Sequence, residues 1–400
     1  MIGIFGVRRG IAALESGKML FLEKKSLYSI RSNNQLTRKG HSKAAIPRRT
    51  PKRWIAVTLL LCLTSFSSAQ ESPKTVFSKY RDRVDPSIEK GLNYLAQVQN
   101  KDGSFPERFG DSTGIPALAG MAFLSKGHLP TEGPFADNIN LSIDFILSHQ
   151  KSSGVFEAGN AGSGPMYAHC ISTLFLSEVS GMVDPGRQKK IDEALPKALK
   201  LILQAQEVKK NDRDQGGWRY HAASNSSDTS CSGWALMALR SAKLNGAAVP
   251  DKAIADAVAY LYRHHNEKTG TFGYTGTDDH KTTLTGMGLL CLELCGEHGK
   301  PSTLKAGDFI LKTYQSLGSQ QFEIYGNYYN AQGMFQLGGK YWEQYATWMY
   351  DNYLPKQKDD GSWYSREAGD VYGTSMMVLA FTVPYRQLPI YQRDETVDEE

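Results

Sequence analysis

Gln357-Lys358-Asp359-Asp360-Gly361-Ser362-Trp363 returns in looser form along the chain, at Gln99 to Phe105, Gln150 to Phe156, Gln206 to Trp218 and His265 to Phe272. Self-similarity at a period of about fifty residues marks an architecture assembled from one repeated supersecondary unit. Apolar-periodic segments lead into or alternate with these turns, at 86–99, 136–150, 189–206, 251–265, 302–315 and 341–357. In Ala253, Ile254, Ala257, Val258 and Leu261 the apolar positions follow the i, i+3, i+4 spacing of a helix with one buried face. A second, more apolar set follows, at 113–124, 167–179, 230–244, 282–295, 328–337 and 372–381. Small residues crowd beside large ones there, as in Ser232-Gly233-Trp234-Ala235-Leu236-Met237-Ala238-Leu239, which suits helices packed on several sides. The first set is therefore expected outside and the second inside.

Twelve helices in six pairs can curve openly or close on themselves. An open array needs polar capping repeats at its ends, yet 371–381 is as apolar as the middle inner segments and needs cover. Closure is the expectation. The Gln of each turn is expected to hydrogen-bond backbone at helix ends while the aromatic packs between pairs, stapling neighbours together.

Gln-x-x-x-Gly-x-Trp/Phe turns between helix pairs resemble the prenyltransferase and squalene oxidase repeat family, shared by terpenoid cyclases and protein prenyltransferase beta subunits. The resemblance covers 85–385 and implies an all-α fold, an (α/α)6 toroid with a central cavity and QW-like turns. An apolar or isoprenoid-like ligand in that cavity is what the resemblance implies for function.

The 400 residues divide around this toroid. Residues 1–50 are a basic leader or a misplaced start. Residues 51–69 read as a secretory signal: Lys52 and Arg53, an apolar run from Trp54 to Phe66, then Ser67-Ser68-Ala69 as a small-residue cleavage site. That run is too short for a stable membrane span. A linker at 70–84 and an acidic, flexible tail at 386–400 complete the reading, which places the protein in the periplasm or outside the cell. The first 53 residues hold 13 of the 46 Lys plus Arg and two of the 41 Asp plus Glu. Residues 54–400 therefore carry 33 against 39, a net charge near −6 that removes compositional support for nucleic-acid binding. After the signal, Cys170, Cys231, Cys291 and Cys295 remain, too few for a disulfide framework. Cys170 and Cys231 start adjacent inner segments and can either approach each other or stay as buried thiols.

In a closed toroid the inner-helix starts and the turns before them converge on one mouth, so their polar residues are the first candidates. Asp228, Cys231 and His280 form one set, since Asp, Cys and His can complete a tetrahedral zinc site with an open position. Protein prenyltransferases resemble this set, and zinc is the one cofactor suggested; otherwise none is expected. The structural alternative is Asp228 capping its helix and Cys231 packing as a small core residue. Gly276-Thr277-Asp278-Asp279 resembles the Asp-x-Asp-Asp acid motif of squalene-hopene type cyclases with its first Asp replaced. The resemblance makes Asp278 the acid that protonates an alkene or epoxide, with Asp279 beside it. Against that stands Asp279 capping the next helix and Asp278 solvated in the turn. Cys291, Cys295 and His298 have ligand types near one helix end, but Cys291 lies in an apolar run and reads as packing.

The turn from Arg213 to His221 follows an insertion of about six residues relative to the other repeats. Trp218, Tyr220 and His221 there could stack and hydrogen-bond a sugar, or simply elaborate the structural turn. Asp111, His169, Tyr328 and Tyr372 complete the substrate-binding candidates. Three functions remain in play: ligand binding in an aromatic cavity, a carbohydrate-active lyase or hydrolase with its catalytic groups drawn from Asp111, Asp228, Asp278 and His169, and a non-catalytic scaffold for a protein partner. Clustered aromatics favour the first, two facing carboxylates across an open groove the second, and a filled cavity the third.

Overall fold

The computed structural model describes residues 75–106, 108, 111–159 and 164–392. The leader, the signal, residues 70–74 of the expected linker and residues 393–400 of the expected tail lie outside them. Within this set are twelve α-helices, and no helix long and apolar enough to cross a membrane. The outer series is α1 (Val76–Val98), α3 (Ala136–Ser148), α5 (Pro185–Glu207), α7 (Asp251–Arg263), α9 (Pro301–Thr313) and α11 (Gly339–Tyr353). The inner series is α2 (Gly114–Ser125), α4 (Met166–Val179), α6 (Thr229–Leu244), α8 (Lys281–Leu294), α10 (Glu323–Leu337) and α12 (Gly369–Phe381). Burial follows the sequence pattern: in α7 only Ala253, Ala257, Tyr260 and Leu261 are buried, whereas every residue of α2 is.

The inner helices pack in the order α2, α4, α6, α8, α10, α12, and α12 returns to α2. The chain is an α/α toroid. The turn Gln makes the staple that the sequence suggests. Gln150 Nε2 donates to Gly154 O (3.1 Å) in its own turn and to Ala194 O (2.9 Å) on the next outer helix. Gln206 does the same with Gly216 O and Ala253 O. Gln357, in the last Gly-x-aromatic turn, donates to Gly361 O (2.8 Å) and to Ser87 O (2.8 Å) on α1, wiring the end of the ring to its beginning. Gly361 has φ +91° and a Cβ there would lie 2.4 Å from Lys90 O, so only glycine lets the turn sit on α1. The turn aromatics Phe105, Phe156, Trp218, Phe272 and Trp363 are all buried.

Two boundaries differ from the sequence reading. The first helix begins at Val76, ten residues before Pro86, so residues 76–84 are helix and not linker. Thr75 Oγ1 caps it by accepting from Ser78 N–H, and Val76, Val84 and Ile88 bury one stripe that outweighs the hydrogen bond lost at the internal Pro86. The tail is likewise structured as far as residue 392: a 3₁₀ turn, Pro389–Tyr391, buries Leu388, Ile390 and Tyr391. The fifth pair lacks the Gly-x-aromatic turn; a 3₁₀ segment, Tyr314–Ser319, leads into α10.

Candidate functional site

The starts of the inner helices carry large rings toward the axis: Tyr167 on α4, Trp234 on α6, Tyr325, Tyr328 and Tyr329 on α10, and Tyr372 on α12. Trp234 is their hub. It meets Tyr167 edge-on at 6.3 Å between centroids, Tyr329 edge-on at 5.6 Å, and stacks on Tyr328 at 6.1 Å. These geometries suit the ring quadrupoles. They fill the axis with side chains. Burial pushes the Tyr167 hydroxyl well above its ordinary range, with further pushes from Tyr372 and Cys231 beside it.

Two turns close over this end. Tyr220 and Tyr274 each stand two residues after a turn aromatic, Trp218 and Phe272, and so occupy the same repeat position. Their backbones hold the preceding inner helices: Tyr220 O accepts from Met166 N–H (3.0 Å) and Tyr274 O from Thr229 N–H (2.9 Å). That arrangement brings the two hydroxyls to 2.8 Å of each other, with the Arg219 guanidinium 5.6 Å from both ring centroids. Tyr220 also lies against Tyr167 at 6.4 Å.

Asp228 lies beneath them, fully buried. Its Oδ1 accepts from Cys231 N–H (2.9 Å), capping α6, and from the Ser230 hydroxyl (2.5 Å). Its Oδ2 is buried without a hydrogen bond, 4.0 Å from Arg219 Nη1. Burial raises the Asp228 pKa against the opposing pull of Ser230, the Cys231 N–H and Arg219. A carboxyl that resists ionisation, set among rings, can hold a proton and give it up. Cys231 follows it in α6 with a thiol that burial and Asp228 push well up.

Of the residues singled out from sequence, Asp228, Cys231, Tyr220, Tyr328 and Tyr372 gather at or below this cluster. The zinc set does not assemble. Asp228 spends one oxygen on α6, Cys231 is buried on the first turn of that helix, and the exposed His280 sits in the left-handed region (φ +53°) at the start of α8, its ring edge-on to Tyr274 at 5.9 Å. Among the described residues no three His, Cys, Asp or Glu side chains group as metal ligands.

The geometry gives Asp279 and Asp278 other work. Asp279 accepts backbone N–H groups from Tyr274, Thr275 and Gly276, which hold its carboxyl below the usual range despite its partial burial. It organises the loop that carries Tyr274. Asp278 is exposed, accepting from Asn266 and Thr277 and lying 3.8 Å from Lys281. Neither stands in an apolar pocket. Asp278 and His280 instead edge a shallow surface depression of about 240 Å³, shared with Lys281 and Gln320.

His169 is fully buried and serves the repeat. Its Nδ1 accepts from Phe156 N–H (3.1 Å) and its Nε2 lies 3.2 Å from Ala198 O, the tautomer of a neutral ring; burial lowers its pKa to about 4. Ser232, Thr285 and Thr374 hydroxyls do the same for Trp218, Phe272 and Trp363. Trp218 is buried, its indole donating to Ile202 O (2.8 Å), as Trp363 donates to Tyr353 O (2.8 Å). The inserted segment before it is structural too: Lys210 donates to Ala205 O, Gln206 O and Val208 O at the end of α5. His221 and Asp111 are exposed outside the cluster.

Tyr167 and Tyr274 are absent from the sequence candidates, and Arg219 enters them only as part of the 213–221 turn. A register of the repeats finds Tyr274, which matches Tyr220, whereas Tyr167 and the placing of Arg219 against both rings follow only when the ring closes.

No protein-family model and no curated protein matches the chain. Solved structures do. A type II terpene cyclase, MstE from Scytonema, in complex with geranylgeranyl dihydroxybenzoate, is 12% identical, with a match covering 77% of this chain and 98% of that one at a TM-score of 0.51. An inactive variant of an alpha-1,6-mannanase of Salegentibacter sp., in complex with alpha-1,6-mannotriose, is 9% identical, covering 75% and 98% at a TM-score of 0.54. With a helical ring closed by Gln357 and α12, the chain shares the α/α-toroid fold of these proteins.

Proposed function

We propose that this is an exported toroid protein that binds an apolar, isoprenoid-like small molecule at the Asp228 end of its axis. The observation that carries the reading is the ring of Tyr167, Tyr220, Tyr274 and Trp234 around a buried carboxyl with one bare oxygen. A flat apolar ligand gains dispersion and desolvation against such rings, and a hydroxyl at its end can donate to the bare oxygen. The MstE complex with a geranylgeranyl compound supports the ligand class by fold analogy alone. Tyr220 and Tyr274 ride on turns and not on helices, so they are the side chains that swing aside for entry. Where the ligand brings an alkene or epoxide to Oδ2, the protonated form of Asp228, which burial favours, can transfer its proton. The carboxyl O–H breaks, and either the alkene π pair forms a C–H bond or the epoxide oxygen forms an O–H bond as its C–O bond opens. The carbocation left on the ligand is discharged by loss of a ligand proton to the carboxylate, which Arg219 faces.

The test is native mass spectrometry and fluorescence titration of the purified chain with geranylgeraniol and, separately, mannotriose. Binding of geranylgeraniol is expected, weakened about tenfold by Tyr274→Ala, the equivalent of one lost aromatic contact. Mannotriose binding without geranylgeraniol binding would transfer the assignment to a glycan. The filled axis favours a second reading, a non-catalytic interaction scaffold, and binding of neither compound would leave that reading in front.

A further inference from the structure

Opposite the Asp228 end, the ring is closed by the chain's own C-terminal segment. After α12 the backbone turns through Val383–Tyr385, passes Arg386 in the left-handed region (φ +51°), and lays Leu388, Ile390 and Tyr391 among the inner-helix ends. Three helices build the seat. Glu178, near the end of α4, accepts from Ile390 N–H (3.2 Å) through Oε2 and from the Ser241 hydroxyl of α6 through Oε1. Gln336 of α10 donates to Tyr391 O (2.9 Å), and the Tyr391 and Tyr328 hydroxyls hydrogen-bond each other. A buried carboxyl and a buried amide that bond this segment's backbone lose those bonds at a cost if it leaves, so the seat favours this occupant.

The rings form a continuous line between the two ends. Tyr220 meets Tyr167, Tyr167 meets Trp234 and Trp234 stacks on Tyr328, with centroids 6.4, 6.3 and 6.1 Å apart, and Tyr328 touches Tyr391. We propose that residues 386–392 are a stopper that makes the axis blind-ended, with Tyr391 as the residue that sets how long a ligand the toroid accepts. The length-setting part rests on the function proposed above; the stopper itself does not. A ligand entering at Tyr220 and Tyr274 displaces rings in order along this line and halts where the tail is pinned by Glu178 and Gln336.

The protein carries its own reporter. Cys291 of α8 is fully buried, its thiol donating to Gly233 O of α6 beside Trp234, whose ring stacks on Tyr328 next to the stopper. Cys170 and Cys231 are buried near the starts of α4 and α6. Two variants test the idea, a chain ending at Gln387 and the full chain with Tyr391→Ala. Each is treated with N-ethylmaleimide, peptide-mapped, and then offered geraniol, farnesol and geranylgeraniol in native mass spectrometry. Removing the stopper is expected to speed Cys291 modification by about tenfold or more, through a locally opened end, with Cys170 and Cys231 unchanged. Tyr391→Ala is expected to move the preferred alcohol up by one isoprene unit.

Unchanged Cys291 labelling in a folded variant overturns the stopper; should the shortened chain not fold, Tyr391→Ala supplies the same reading. An identical length preference in all forms overturns the role of Tyr391. Faster Cys291 labelling with no alcohol bound by any form upholds the stopper and removes the isoprenoid reading instead.

Discussion

At the scale of single residues the informative group is Asp228, because one side chain does two things that differ in cost. Its Oδ1 caps α6, which stabilises a helix by about 1 kcal/mol. Its Oδ2 is buried and bare, which destabilises the charged form. Only the cap requires a side chain of this shape, and asparagine keeps it. Asp228→Asn should therefore raise the melting temperature near pH 8 while removing any proton transfer. The pH sense is fixed by the direction of the shift. A carboxyl raised in the folded state contributes stability that is full below its unfolded pKa and is lost as pH rises through the folded one. The variant's advantage should thus grow from pH 4 to pH 8 in thermal melts. An asparagine variant less stable than the parent at pH 8 would mean that the second oxygen has a partner in solution.

At the scale of the element, the unit is a turn bonded to the next helix pair, and His169 shows how it is built. Phe156, Trp218, Phe272 and Trp363 each donate a backbone N–H to a side chain on the following inner helix, and at Phe156 alone that acceptor is an imidazole. The ring must be neutral to accept at Nδ1, and burial holds its pKa at about 4 against about 6.5 in the unfolded chain. A depressed folded pKa means stability that is complete above the unfolded value and lost as pH falls through the folded one. Between pH 6.5 and 4 this should remove about 3 kcal/mol at most. His128, His264 and His265 shift in the same direction, so His169→Gln should flatten only part of the acid slope, measured as urea stability at pH 7 and pH 4.5. An unaltered slope would show that His169 is not the group being protonated.

The same element explains what the sequence made legible. Turn spacing, Gln staples and inner and outer helices follow from local pattern, and the helices formed close to where periodicity put them. His169 looked like a site residue because a chemistry-bearing side chain at an inner-helix start cannot be told from a staple until Phe156 N–H is seen bonded to it. Asp278 and Asp279 were ambiguous for the same reason, since three loop N–H groups on Asp279 are invisible in sequence. Asp228 was legible as a cap, but its bare oxygen depends on Arg219, Tyr220 and Tyr274 arriving from two turns. In sequence Pro86 reads as the start of α1, because the Val76 and Val84 stripe before it is short.

At the scale of the molecule, closure should govern how the chain unfolds. An open helical array frays from its ends, because each terminal unit has one neighbour. Here the first and last units are neighbours: α1 packs on α12, α12 on α2, and Gln357 bonds Ser87 through both its amide nitrogen, at Ser87 O, and its oxygen, which accepts the Ser87 hydroxyl at 2.7 Å. The backbone amides of α1 and α12 should therefore exchange hydrogen as slowly as those of α6, which lies midway around the ring. Gln357→Ala leaves Ser87 O and Gly361 O without this donor, at a cost of about 1–3 kcal/mol. If the ring is one cooperative unit, that loss lowers protection in all inner helices alike. If the ring is only an array whose ends touch, the loss is confined to α1, α11 and α12, and α6 exchanges as before. Hydrogen exchange of parent and variant, read helix by helix, separates these outcomes. Faster exchange of α1 and α12 already in the parent, by about tenfold or more relative to α6, would refute cooperative closure at the Gln357 seam.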